Sequence, residues 1–129
     1  MSKPNKHPRP TDSELSILRV LWRIGPATVR AVQEQLGGDE ETGYTTVLKL
    51  LQIMTEKGLV KRDESERSHV YRPTCAEEVV QRQLLGHLLD RAFGGVTQKL
   101  VLQALSTKKS SPEELAEIRR LLDELEGGK

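Results

Sequence analysis

Between Gly43 and Gly58 the chain carries a set of side chains suited to hydrogen-bonding a polyanion rather than to catalysis. Tyr44, Thr45 and Thr46 open the stretch, and Lys49 and Gln52 continue it, with no acidic residue until Glu56. Hydroxyls, an amide and one cation can bond base edges and phosphates. The interleaved Val47, Leu50, Leu51 and Met54 recur at three- and four-residue steps, which predicts an α-helix with one apolar face. Taken alone, the same stretch also reads as a plain amphipathic helix with a solvated polar face.

The elements around it must decide between these readings. Thr11-Asp-Ser-Glu14 is a capping-box pattern and opens a helix carrying Leu15, Ile17, Leu18, Val20, Leu21 and Trp22, stopped by Gly25-Pro26. Thr28 caps a short second helix with Val29, Val32 and Leu36, which ends at Gly37-Gly38. Asp39-Glu40-Glu41 forms an acidic turn and Thr42 is the expected N-cap of the third helix. Three short helices with brief turns suit a helix-turn-helix that presents its third helix outward.

After Gly58 the period changes to alternation. Leu59-Val60-Lys61-Arg62 and His69-Val70-Tyr71-Arg72 read as two strands around a polar turn from Asp63 to Ser68, closed by Pro73. A hairpin directly after three helices is the wing of a winged helix. It holds Lys61, Arg62, Arg67, Ser68, His69 and Arg72, interrupted by Asp63, Glu64 and Glu66. Cations on a wing can sit beside phosphates. Charges on a solvated hairpin edge also deter strand-to-strand association.

Thr74-Cys-Ala-Glu77 is a second capping-box pattern, opening a long helix to about Phe93 with Val79, Val80, Leu84, Leu85, Leu88 and Leu89. Gly94-Gly95 breaks it, and a shorter helix from Val96 to about Leu105 carries Leu100, Val101 and Ala104. Ser111-Pro-Glu-Glu114 is a third capping box, opening a last helix with Leu115, Ile118, Leu121, Leu122 and Leu125. About fifteen buried-type side chains therefore follow a unit that is already closed. Each is worth roughly 1.5 to 3 kcal/mol when buried, so they need a partner surface, and a second copy of the same arm is the simplest one. The competing arrangement is one enlarged monomeric domain.

The expected fold is mainly α with a small β-hairpin: a disordered lead over residues 1–10 with three prolines, a winged helix-turn-helix over 11–74, and a three-helix dimerisation arm over 75–129. In that arm Val80, Leu84, Leu88, Phe93, Leu100, Val101, Leu115, Ile118 and Leu122 are the expected interface. The charge balance is near neutral: 30% of residues are charged and the formal net charge is +1. That slightly favours a rival reading, a winged helix used for protein–protein contact that binds no DNA.

Cys75 is the only cysteine, so no disulfide within the chain and no thiolate cluster is expected. Cys75 reads as a small residue at a helix start, with cross-linking of two subunits as the rival role. His7, His69 and His87 have no nucleophile or carboxylate at a useful spacing, so neither an enzyme nor a cofactor is expected. No apolar run is long enough to span a membrane and the N-terminus lacks a hydrophobic signal core, which predicts a cytosolic protein without a membrane partner.

In order and spacing these features resemble the penicillinase repressor (BlaI/MecI-type) family of bacterial transcriptional regulators. The matching residues are Glu14, Ile17-Leu18, Leu21-Trp22, Gly25-Pro26, Thr28-Val29, Val32, Tyr44-Thr45-Thr46-Val47, Leu51, Lys57-Gly58-Leu59-Val60, Arg67, Val70-Tyr71 and Pro73. The resemblance implies a homodimeric repressor whose winged helices bind an inverted repeat in double-stranded DNA. It places Thr45, Thr46 and Lys49 in the major groove, Gln52 a turn further on, and Arg67 on the backbone or the flanking minor groove. Tyr44, Ser68 and His69 complete the expected DNA-binding set. Leu48 and Ile53 stand where relatives are commonly polar, and contact with the arm or with thymine methyls both remain open. Some relatives are inactivated by a signalling protease that cuts an Asn-Phe bond in the arm. Gln103-Ala104 stands there in this chain, which weighs against such a partner. Copper-responsive relatives carry paired cysteines near the C-terminus, which this chain lacks.

Overall fold

The computed structural model describes residues 9–37 and 43–127. Helix α1 (Asp12–Ile24) starts on the capping box foreseen in the sequence. The Thr11 hydroxyl accepts from the Glu14 amide at 3.2 Å, and the Thr11 amide donates to the Glu14 carboxylate at 2.9 Å. Gly25 ends it at φ +89°, in the left-handed region that a residue with a Cβ adopts only with strain. Helix α2 (Val29–Gln35) is capped by the Thr28 side chain, which accepts from the Ala31 amide. Helix α3 (Tyr44–Lys57) has Gly43 at its N-cap position and ends at Gly58, φ +83°. The expectations for Gly38, the acidic turn Asp39–Glu41 and the Thr42 cap lie outside the described residues, as does most of the expected lead. Pro10 is buried, so the chain is already engaged before α1 begins.

Strands β1 (Val60–Asp63) and β2 (Val70–Pro73) pair antiparallel with Val60 opposite Pro73 and Arg62 opposite Tyr71. Each strand is displaced by one residue from the sequence expectation. Leu59 stays outside β1 because its amide donates to the Met54 carbonyl, closing the end of α3. Ala27 bridges to Tyr71 through two backbone hydrogen bonds of 3.0 and 2.8 Å, which ties the turn before α2 to the wing.

One core joins these pieces. Ile17, Leu18, Val20 and Leu21 of α1, Val29 and Val32 of α2, Val47, Leu51 and Met54 of α3, and Leu59, Val60 and Tyr71 of the wing are buried together. Helix α4 (Glu77–Phe93) follows. Thr74 does not cap this helix: α4 begins at Glu77, the Val80 amide donates to the Ala76 carbonyl, and the Thr74 amide that a capping box would commit to Glu77 donates to the Leu59 carbonyl at 3.0 Å. Trp22 Nε1 donates to the Cys75 carbonyl at 3.0 Å, fastening α1 to the residues that lead into α4. The compact unit built on this core runs to Leu85.

The second unit, from Gly86 onward, takes in the rest of α4, then α5 (Thr97–Thr107) and α6 (Pro112–Gly127). Gly94 and Gly95, both at positive φ, separate α4 from α5. Ser111 and Glu114 form the third capping box, with bonds of 2.8 and 3.0 Å.

Candidate nucleic-acid interface

Helix α3 is two-faced in the way its sequence requires. Val47, Leu51 and Met54 are fully buried, while Thr45, Thr46, Lys49 and Gln52 are exposed on the other side. Ile53 is also exposed, on the polar side, whereas Leu48 packs partly against the core. The pose of the helix is held by an ion pair that spans the unit. Glu14 is buried, and Lys57 Nζ reaches its carboxylate at 2.7 Å, joining the first turn of α1 to the last turn of α3. Burial alone would raise the Glu14 pKa. Hydrogen bonds from Lys57 and from the Thr11 backbone outweigh that, and the carboxyl is held below its ordinary value.

The wing separates its charges. Lys61, Arg62 and Arg72 line an open hollow of about 750 Å³ together with Asp63 and Glu64, and Arg62 pairs with Glu64 at 2.7 Å. The Asp63 carboxylate accepts from the Ser65 backbone and side chain, which lowers its pKa. Arg67, Ser68 and His69 line a different hollow, of about 460 Å³, next to the start of α3. Tyr44 lines that hollow too, so four of the eight expected DNA-binding residues are brought together there. Thr45, Thr46, Lys49 and Gln52 lie along the exposed side of α3 instead. A helix offering hydroxyls, an amide and a lysine beside a wing offering Arg67 is an arrangement that can read base edges and grip phosphates at once.

The model of the penicillinase repressor family matches residues 10–124. The chain belongs to the penicillinase repressor family. Over 119 residues it is 32% identical to the protein named transcriptional regulator BlaI of Mycobacterium tuberculosis, covering 91% of this chain and 85% of that relative. The penicillinase repressor of Bacillus licheniformis is 25% identical over 119 residues, covering 92% of this chain and 93% of that one. Among solved structures, a MarR family protein from Bacillus stearothermophilus matches 92% of this chain and 74% of its own at a TM-score of 0.53 and 20% identity, a likeness of fold.

In this member of the penicillinase repressor family, sequence reasoning passed over Arg30. It is exposed on α2, lines the same hollow as Tyr44 and Arg67, and places its guanidinium over the Tyr44 ring, 5.5 Å from the centroid. Its signal in the sequence is weak: one arginine in a short helix, with no neighbouring motif to mark it. The Glu14–Lys57 pair was missed as a pair, although both residues belong to the pattern that carried the resemblance. No group of His, Cys, Asp or Glu that could hold a metal ion occurs among the described residues, and no helix among them is long and apolar enough to cross a membrane.

The expected dimerisation residues divide by exposure. Val80 is 4% exposed and already covered within the single chain. Leu88 and Leu122 are 48% and 54% exposed, and Val101 is exposed as well. Leu84, Phe93, Leu100, Leu115 and Ile118 are half-buried. Helices α5 and α6 bury no described residue at all.

Proposed function

We propose that this chain is a homodimeric, sequence-specific DNA-binding transcriptional repressor that occupies an inverted-repeat operator. The observation that carries this reading is the exposed side of α3. Thr45, Thr46, Lys49 and Gln52 are exposed on a helix whose opposite face, Val47, Leu51 and Met54, is completely buried, with Arg67 of the wing beside its start. Membership of the penicillinase repressor family, with relatives named as repressors across nearly the whole chain, supports it.

In this reading α3 enters the major groove, where threonine hydroxyls bond base edges, their methyls meet thymine methyls, and Lys49 reaches a guanine or a phosphate. Arg67, Ser68 and His69 hold the flanking backbone. The exposed apolar residues of α4, α5 and α6, Leu88, Val101 and Leu122 among them, pair with the same residues of a second copy. Two reading helices then meet successive major grooves about one helical turn apart. Repression follows from occupying a promoter and excluding polymerase.

The test is selection of duplexes from a random pool by the purified full chain, followed by footprinting. The expected product is a palindrome whose two halves are protected on one face of the DNA. A protein that shifts no duplex even at low salt would instead be a protein–protein contact module.

A further inference from the structure

The hollow beside the start of α3 draws on three elements remote from one another in sequence: Arg30 on α2, Tyr44 on α3, and Arg67 with His69 on the wing. None of the described residues lining it is acidic, in contrast to the other wing hollow, where Asp63 and Glu64 sit among the cations. Arg30 forms no ion pair with a described carboxylate, whereas Arg62 and Arg120 both do. Its guanidinium stands over the Tyr44 ring within cation–π range. A guanidinium has five N–H donors, so one resting near an aromatic ring can still offer a bidentate pair to an oxyanion. The Thr28 hydroxyl, at the same hollow, accepts from the Ala31 amide and keeps its own hydrogen to donate.

We propose that this hollow is a seat for one phosphate of the DNA backbone, with Arg30 as its principal ligand and the Tyr44 ring as the surface that positions Arg30. Arg67 and His69 close the seat from the wing side. The seat rests on the DNA-binding reading and adds to it a fixed register. Because α2, α3 and the wing are locked into one core, a phosphate held here sets how far along the groove α3 is placed. Tyr44 thus acts through Arg30 rather than by reading a base.

The experiment measures affinity of the full chain for its selected operator between 50 and 200 mM salt, for the wild type, Arg30→Ala, Arg30→Lys and Tyr44→Leu. Arg30→Ala is expected to bind about ten- to a hundredfold more weakly and to reduce the salt slope by about 0.9 per protomer. Arg30→Lys keeps the slope but loses affinity, because an ammonium lacks the planar fork. Duplexes neutralised at single phosphates by methylphosphonate identify the ligand directly. One position weakens the wild type and leaves Arg30→Ala unaffected, and Tyr44→Leu blunts the effect at that same position. Unaltered thermal unfolding of Arg30→Lys keeps the comparison clean should the alanine variant unfold. An unchanged salt slope in a folded Arg30→Ala, or no phosphate whose neutralisation loses its effect in that variant, overturns the seat while leaving the repressor reading intact. A wild type that binds no duplex at low salt removes both.

Discussion

The two compact units of this chain spend their apolar residues in opposite ways. In the first, leucines and valines from three helices and a hairpin converge, and Val32, Val47, Leu51 and Met54 are completely removed from water. In the second, Leu102, Leu121, Leu122 and Leu125 are more than half exposed, and α5 and α6 bury nothing. Both units form helices with apolar positions, and α6 opens on a capping box just as α1 does. Helix formation and core formation are therefore separate achievements: periodicity makes an apolar stripe, and only an opposing surface makes it a core. A closed unit can hold a reading surface rigidly by itself. A unit with open stripes leaves apolar surface in water, and the proposed dimer is what would cover it.

The largest effect expected from this contrast comes from charging an open stripe. Leu122→Asp paired with Leu88→Asp should convert a dimer to a monomer by sedimentation. Operator affinity should fall by a factor on the order of 10² to 10⁴, the gain that linking two binding events provides. A double variant that sediments as a dimer would contradict the assignment of the arm. Next, the same substitution can be placed in both units. Leu51→Ala should cost about 2 to 5 kcal/mol of unfolding free energy whatever the protein concentration. Leu122→Ala should instead change stability in a concentration-dependent way, as the proposed pairing of two arms requires. Equal, concentration-independent losses at both positions would show that the two units bury their leucines in the same way.

A smaller effect separates reading from folding. Lys49→Ala removes an exposed side chain, so its unfolding curve should match the wild type, while operator affinity drops by about 1 to 3 kcal/mol. Restoration of affinity by altering one operator base pair would identify a base contact; a uniform loss across sequences with a shallower salt slope would identify a phosphate. The smallest effect concerns pH. Glu14 has a folded pKa below its ordinary 4.5, so its contribution to stability is complete above that value and disappears as pH falls through the folded pKa. Glu14→Gln should lose about 1 to 2 kcal/mol at neutral pH and flatten the acid limb of the stability profile. An acid limb identical to the wild type would show that the Lys57 bond adds nothing in solution.

Much of the winged-helix unit was legible without coordinates because its signals are local. Thr11 and Glu14 are three residues apart, Gly25 and Gly58 mark their turns by needing positive φ, and the apolar steps of α3 name its buried face. Thr74 shows where local reasoning fails: its spacing to Glu77 matches a cap, yet its amide pairs with the Leu59 carbonyl after the turn at Gly58, and the helix starts only at Glu77. The candidate site was half legible for the same reason. Thr45, Thr46, Lys49 and Gln52 follow from the period of one helix. Arg30 does not, because its meaning depends on α2 lying beside the start of α3 and the tip of the wing.

What the sequence alone determined is the order of the elements, their caps, their apolar faces and the excess of apolar residues after Thr74. Tertiary structure decided which partners those faces meet. It placed Lys57 on Glu14, 43 residues away, and buried Val80 while leaving Leu122 open. It also sorted the wing cations into one group beside carboxylates near the end of α3 and one group beside its start. Periodicity and capping are set by neighbours three or four residues apart, whereas ion pairs and shared hollows are set by how packed helices cross, which no local pattern records.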